Sequence, residues 1–159
     1  MKVFLQKRVA DSFRRRSRRS YPKEEMGILL GDIQGDEVYI KGIYYPPEAE
    51  ESSTKDSVDV CMDWFDDAQD KGKDKGLIPV GDIHSHCYEL TRSTPTHEPS
   101  EADWDSTCEI HACVPTYCVH GICRVVYNRT LDQLYSSLRL WPLSPPMETT
   151  MVMGEEEEE

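Results

Sequence analysis

The sequence predicts an α/β (α+β) fold in which a central β-sheet is flanked by helices. Short apolar segments with strand character recur along the chain, and segments with helical spacing of apolar residues separate them. The length of 159 residues suits one domain with a single hydrophobic core. The hydrophobic share of 38% and the charged share of 30% are typical of a chain that folds.

The N-terminal part of the chain predicts a strand, a helix and a hairpin. Residues 2–5 suit a short strand. Apolar residues at helical spacing then predict the helix: Leu5, Val9 and Phe13. This helix should end before Pro22, because a residue that precedes proline avoids the helical conformation. Two β-rich segments follow, and Gly35 and Asp36 between them are typical of a hairpin turn.

In the rest of the chain, predicted helices and strands alternate. Apolar residues at helical spacing predict a second helix: Val58, Cys61, Met62, Phe65 and Ala68. A buried strand is predicted over 77–86, a helix over 100–113 and a strand over 121–128. The segment 131–141 suits a helix or a strand, and we favour a strand for its second half.

Charge and composition exclude several classes of protein. The net charge of −12 disfavours a nucleic-acid-binding protein. The sequence has no apolar run long enough to span a membrane, and its N-terminal apolar segment is too short for a secretory signal. We therefore expect a cytoplasmic protein without membrane contact. The domain should span residues 1–141, and residues 142–159 predict a disordered acidic tail because they are rich in proline, methionine and glutamate.

Two histidines predict a metal site. On a strand, residues two apart project from the same face, so His84 and His86 would direct two imidazoles to one point. Two neutral imidazoles suit zinc, and catalytic zinc sites add a third ligand, often a carboxylate, and keep one position for water. Asp103, in the first turn of the following helix, is the best candidate for that ligand. The alternative is that both histidines are ordinary hydrogen-bonded residues.

Three further residues have both a structural and a functional interpretation. Ser100 and Asp103 have the spacing of a capping box, which is compatible with a role in a site in front of the helix. Zinc-assisted hydrolysis also needs a base for the proton of the attacking water, and Glu24 and Glu25 precede a predicted strand. Taken alone, each of the two glutamates would be a solvated charge at a junction between elements.

These elements together resemble the JAMM (MPN+, JAB-type) zinc metalloprotease motif. The matching segments are Glu24 to Gly31, His84-Ser85-His86 and Ser100-Glu101-Ala102-Asp103. The resemblance, to a prokaryotic or viral stand-alone member, implies an MPN/JAB-like central mixed sheet flanked by helices, with cytidine-deaminase-like layering. It also implies roles for five residues: His84, His86 and Asp103 as ligands of one Zn²⁺ ion, Glu24 as general acid/base, and Ser100 as a donor to the oxyanion.

The activity that the resemblance implies is hydrolysis of an amide or isopeptide bond. Family members often act at the C-terminal glycine of ubiquitin or a ubiquitin-like protein, so such a protein or its conjugate is the expected substrate. Two alternatives remain open: a non-catalytic MPN scaffold for protein interaction, and a peptidase acting on cell-wall or other amides. Scaffolds of this kind typically lack one or more ligands, and in this sequence every ligand position is filled, which favours the enzyme.

The segment 87–99 departs from the family pattern. Cys87 stands where the family usually has proline, and the interval before Ser100 is longer than usual. This insertion beside the site could shape the substrate channel or act as a lid, and it contains competing ligands in Cys87, His97 and Glu98. Long loops cost little free energy, so Asp103 is still expected to bind the metal.

Four cysteines recur at a spacing of five residues with histidines between them: Cys108, Cys113, Cys118 and Cys123. A second zinc site is one interpretation, but zinc ligands usually occur as pairs two to four residues apart. Because the observed period matches neither a helix nor a strand, we favour buried, reduced thiols.

Overall fold

The structure, a computed structural model, describes residues 1–47, 63–90, 101–143 and 151–154. Within these ranges the strands are β1 (Lys2–Gln6), β2 (Met26–Gln34), β3 (Glu37–Tyr44), β4 (Ile78–Glu89), β5 (Val119–Asn128), β6 (Gln133–Pro142) and β7 (Met151–Gly154). The helices are α1 (Lys7–Ser20), α2 (Asp63–Lys73) and α3 (Glu101–Cys113). No helix of the described ranges is long and apolar enough to cross a membrane.

The described strands form one mixed sheet in the order β6-β5-β4-β2-β3-β1-β7. β4 pairs in parallel with β5 and antiparallel with β2, so it lies inside the sheet. β1 pairs in parallel with both of its neighbours, β3 and β7. The two remaining pairs, β2 with β3 and β5 with β6, are antiparallel. The central position of β4 agrees with its apolar sequence, since a strand covered on both faces needs apolar residues throughout.

Helices cover both faces of the sheet. On one face, the apolar stripe of α1 packs into a cluster with residues of the central strands: Val9, Ala10 and Phe13 with Leu29, Val80, Ile83 and Val125. On the other face, α2 and α3 contribute to a second cluster: Trp64, Phe65 and Ile110 with Met26, Ile28 and Tyr117. The predicted fold of a central mixed sheet between helices is therefore confirmed.

Several predicted boundaries are confirmed. α1 ends at Ser20, and Tyr21 before the proline leaves the helical conformation with φ −47° and ψ 133°. Gly35 occupies the predicted hairpin turn with φ 61°, a conformation that glycine adopts without strain. The segment 131–141, which suited a helix or a strand, is a strand from Gln133 onward. This strand pairs antiparallel with β5 along its whole length.

Other elements differ from the sequence prediction. β4 continues beyond residue 86 to Glu89, because its parallel pairing with β5 extends to Tyr127. The predicted start of the second helix, 58–62, lies outside the described residues, and α2 begins at Asp63. Within the predicted tail, 142–159, the described residues Met151–Gly154 pair in parallel with β1. The backbone groups on the outer edge of β1 provide partners for this short apolar strand.

Gly81 allows close pairing of β4 with β5, and its substitution provides a test of the sheet. A Cβ atom at this position would lie 1.9 Å from the carbonyl oxygen of Val119. Gly81→Ala is therefore expected to lower the free energy of unfolding by at least about 3 kcal/mol, the upper part of the range for an overpacked core. Urea unfolding would measure this. Gly42→Ala is the control, since its Cβ would meet nothing closer than 3.8 Å, and a similar loss in both variants would contradict the interpretation.

Candidate metal centre

β4 directs two histidines toward the face of the sheet that carries α2 and α3. His84 and His86 alternate with Ser85 and Cys87, and Cys87 packs against the cluster beneath α1 on the opposite face. The Nε2 atoms of the two imidazoles are 2.8 Å apart. The predicted convergence of His84 and His86 is therefore present in the folded chain.

α3 brings a carboxylate to the same point. Asp103 places Oδ1 at 3.3 Å from Nε2 of His84 and Oδ2 at 3.4 Å from Nε2 of His86. The ring of the next residue, Trp104, contacts the rings of His120 and Trp141, which fixes the start of the helix against the sheet. Packing of α3 onto the sheet thus positions Asp103 in front of the histidines.

The donor set fits a zinc ion. Ligands placed tetrahedrally at about 2.0–2.1 Å from zinc lie about 3.3–3.4 Å from one another. The two carboxylate-to-imidazole distances have this value, and the imidazole nitrogens are somewhat closer. Burial lowers the pKa of His84, which keeps its imidazole neutral and available as a ligand at neutral pH. His84, His86 and Asp103 therefore form a group that could hold a metal ion.

A second group of possible ligands shares His84 and lies deeper: Asp82, His84 and His120. Asp82 accepts hydrogen bonds from Nδ1 of His120, at 2.8 Å, and from the hydroxyl of Tyr117. Burial alone would raise the pKa of Asp82, but the attraction of His120 and His84 together with the hydrogen bonds from His120 and Tyr117 outweighs burial, and the pKa is lowered. Burial likewise opposes the charge on His120, and the carboxylate of Asp82 raises its pKa. This inner group has the geometry of a buried ion pair.

Glu24 precedes β2, the strand that pairs with the histidine-bearing β4, by two residues. Met26 pairs with His84, and the backbone pairing continues to Glu25, whose carbonyl accepts from the amide of Ser85 at 2.9 Å. Continued by two residues beyond Met26, this antiparallel register brings Glu24 opposite His86. Its side chain is nearly buried, with 9% exposed, and its charge helps to raise the pKa of Tyr88.

Glu25 has a different environment. Its carboxylate accepts a hydrogen bond from Nε of Arg16 at 3.3 Å and another from the hydroxyl of Ser20, both on α1. Its backbone amide donates to Oγ of Ser85 at 2.8 Å. Glu25 is thus bound on the α1 side of the sheet, away from the histidine face.

The insertion lies largely outside the described residues. Ser100, His97 and Glu98 are not described, so their predicted roles stay predictions. Cys87 does not join the histidines, because its thiol points to the opposite face and donates to the carbonyl of Lys23. Burial raises the pKa of Cys87 to about 11, so the thiol is protonated at neutral pH and is a poor metal ligand.

The later cysteines are free thiols at separate places. Cys108 and Cys113 are exposed on α3, Cys118 is partly buried, and Cys123 is buried beneath α1. Burial raises the pKa of Cys118 to about 11 and that of Cys123 to about 12. The expectation of buried thiols is wrong for the two cysteines of α3, because that stretch of the helix faces solvent.

Three residues near the histidines were missed by the sequence prediction: Asp82, Tyr88 and Tyr117. Asp82 lies on the same face of β4 as His84 and His86. The two-residue period of a strand could therefore have indicated it. Tyr117 carries no comparable signal, because its contact with Asp82 depends on how β5 approaches β4. Tyr88 also lies nearby, with its hydroxyl 3.3 Å from Nδ1 of His86.

Comparison with known proteins adds two findings. A family model described as prokaryotic homologs of the JAB domain matches residues 6–133. Among solved structures, the chain is similar to the solution structure of protein DSY2949 from Desulfitobacterium hafniense, with a TM-score of 0.61 and 16% sequence identity. That similarity covers 97% of this chain and 94% of the other, and at this identity it bears on the fold alone. No curated protein matches the sequence.

Proposed function

Because the chain belongs to the family of prokaryotic homologs of the JAB domain, we propose that it is a zinc-dependent hydrolase of amide or isopeptide bonds. The observation that supports this function is the meeting of two imidazoles and one carboxylate, with a nearly buried glutamate two residues before the neighbouring strand β2. A non-catalytic scaffold would have no need for such a set of neutral and acidic donors directed at one point.

Each residue has a defined part in the proposed reaction. His84, His86 and Asp103 would hold the ion through Nε2, Nε2 and the carboxylate. When bound, zinc supplies a Lewis acid that polarises a carbonyl and makes water a stronger nucleophile. Glu24 accepts a proton from the attacking water and delivers it to the leaving amine. By its position in the motif, Ser100 donates a hydrogen bond to the developing oxyanion.

The two adjacent glutamates differ in their environment. Both glutamates are nearly buried, and Glu25 is hydrogen-bonded to Arg16 and Ser20 of α1, on the face of the sheet opposite the histidines. The assignment of the base to Glu24 therefore rests on position and on the occupation of Glu25 by another partner.

We further propose that the substrate is the C-terminus of a ubiquitin-like protein or its conjugate to an amine. The direct test is to incubate the protein with a ubiquitin-like protein that carries a short C-terminal extension, and to follow release of the extension by mass spectrometry. Cleavage should stop after treatment with 1,10-phenanthroline and return on addition of zinc. Cleavage that is insensitive to the chelator would contradict the proposed chemistry, and cleavage of a cell-wall peptide alone would contradict the proposed substrate.

A further inference from the structure

Behind His84 lies an inner cluster of three polar residues, Asp82, Tyr117 and His120, whose burial is costly for stability. Asp82 and His120 are each 2% exposed and Tyr117 is fully buried, yet all three carry polar groups. Removing two charges from water is only partly repaid by their attraction, and an apolar set of the same volume is often at least as stable. Nε2 of His120 is buried without a hydrogen-bond partner among the described residues, which adds a further cost. Stability alone is a poor explanation for this arrangement.

A continuous set of contacts runs from the helices through this cluster to His84. The ring of Phe65 on α2 packs edge-on against Tyr117 at 5.9 Å between centroids. His111 on α3 contacts the carbonyl oxygen of Tyr117 through Nδ1 at 2.6 Å. The Tyr117 hydroxyl and Nδ1 of His120 both bind Oδ1 of Asp82.

The last contact in this set is between two imidazole rings. The centroids of the His120 and His84 rings are 5.0 Å apart, and the two ring planes make an angle of 50°. The parallel register pairs Asp82 with His120 across β4 and β5, so the hydrogen bond that fixes the His120 ring also fixes it relative to the strand that carries His84. The His84 ring, with His120 on this side, directs Nε2 toward His86 and Asp103.

We propose that Tyr117, Asp82 and His120 are positioning residues that hold the His84 ring in the orientation required for metal binding. This inference rests on the proposed metal site, but it is separate from the identity of the substrate. Groups that orient a metal ligand from behind commonly raise metal affinity by about 10- to 100-fold. The inner cluster thus contributes to the affinity of the outer group of His84, His86 and Asp103 without binding the ion.

Two substitutions test the proposal in the full chain. Tyr117→Phe removes one hydroxyl and leaves the ring packed against Phe65. His120→Asn removes the ring contact with His84 while an amide can still donate to Asp82. Zinc affinity, measured by competition with a chelating dye, is expected to fall by about 10- to 100-fold in each variant. The visible absorption of the cobalt-substituted protein should also change, because its bands report ligand geometry.

Tyr127→Phe is the matched control, because it removes a tyrosine hydroxyl that binds Asp132 away from the cluster. It should retain wild-type zinc affinity and the wild-type cobalt spectrum. A merely structural cluster would lower the melting temperature of the metal-free protein but leave both of these unchanged in Tyr117→Phe and His120→Asn, and this result would overturn the proposal.

Metal stoichiometry separates the remaining outcomes. One zinc ion per chain in the wild type and in both variants is expected. Two ions in the wild type and one in His120→Asn would overturn the proposal, because the inner group would then itself bind metal. A wild-type protein that binds no zinc would overturn both this inference and the proposed function. Normal zinc binding without hydrolysis of any tested substrate would overturn the function alone.

Discussion

Replacing Glu24 by glutamine is expected to slow hydrolysis by about 10²- to 10⁴-fold, the range typical for loss of a general acid/base. Glutamine has nearly the same shape, but its amide cannot accept the proton of the attacking water. Because Glu24 lies just before β2 and the proposed ligands are on β4 and α3, zinc content should remain that of the wild type. Steady-state cleavage and metal analysis of the same preparation would measure both quantities.

Glu25→Gln is the control for this substitution. It changes the adjacent glutamate, whose carboxylate binds Arg16 and Ser20 on the other face of the sheet. The loss of these charge-assisted hydrogen bonds should lower the free energy of unfolding by about 1–3 kcal/mol, with little effect on the rate per folded molecule. If Glu24→Gln cleaved substrate as fast as the wild type, or if Glu25→Gln had the larger effect on rate, the base would be assigned to the wrong residue.

The sequence was sufficient to predict that His84, His86 and Asp103 meet, because their arrangement depends mostly on local geometry. His84 and His86 share a face through the two-residue period of a strand, and Asp103 lies in the first turn of the next helix. The placement of the histidines depends only on the strand β4, and that of Asp103 only on where α3 begins. Their meeting within 3.4 Å required only that α3 pack onto the histidine face of the sheet.

The inner cluster could not be predicted in the same way. Tyr117 and His120 meet Asp82 only because β4 and β5 pair in parallel, with Asp82 opposite His120. A shift of one residue in this register would turn His120 to the other face of the sheet. The register is set by tertiary contacts, including the close approach at Gly81, and local sequence patterns do not contain that information.

Tertiary pairing also decided the two segments at the C-terminal end. Residues 131–141 have apolar residues that suit either a helix or a strand, and the neighbouring edge of β5 resolves the choice in favour of β6. Met151–Gly154, with four residues, is too short to predict an element by itself, but the outer edge of β1 provides a partner. In both cases a partner edge, distant in sequence, overrides a weak local preference.

Asp103→Ala is expected to abolish zinc binding at micromolar protein, and with it hydrolysis. Asp103 is the carboxylate that contacts both imidazoles, through different oxygens. Its loss should therefore lower zinc affinity by more than the roughly 100-fold that outer-shell partners can cause. The measurements are zinc content after gel filtration and affinity by dye competition. Asp105→Ala is the matched control, since this exposed carboxylate is on the same helix, two residues later.

This variant also decides which of the two overlapping groups binds the metal. If the outer group does, Asp103→Ala loses zinc while His120→Asn keeps one ion with weaker affinity. If the inner group does, the order is reversed, because Asp103 would not be a ligand and His120 would be. The hydrogen bond between Asp82 and His120 engages Nδ1 of His120, while its Nε2 has no hydrogen-bond partner among the described residues, so the comparison of the two variants is needed to separate these outcomes. Retention of a full zinc content in Asp103→Ala would contradict the outer site and the reaction proposed for it.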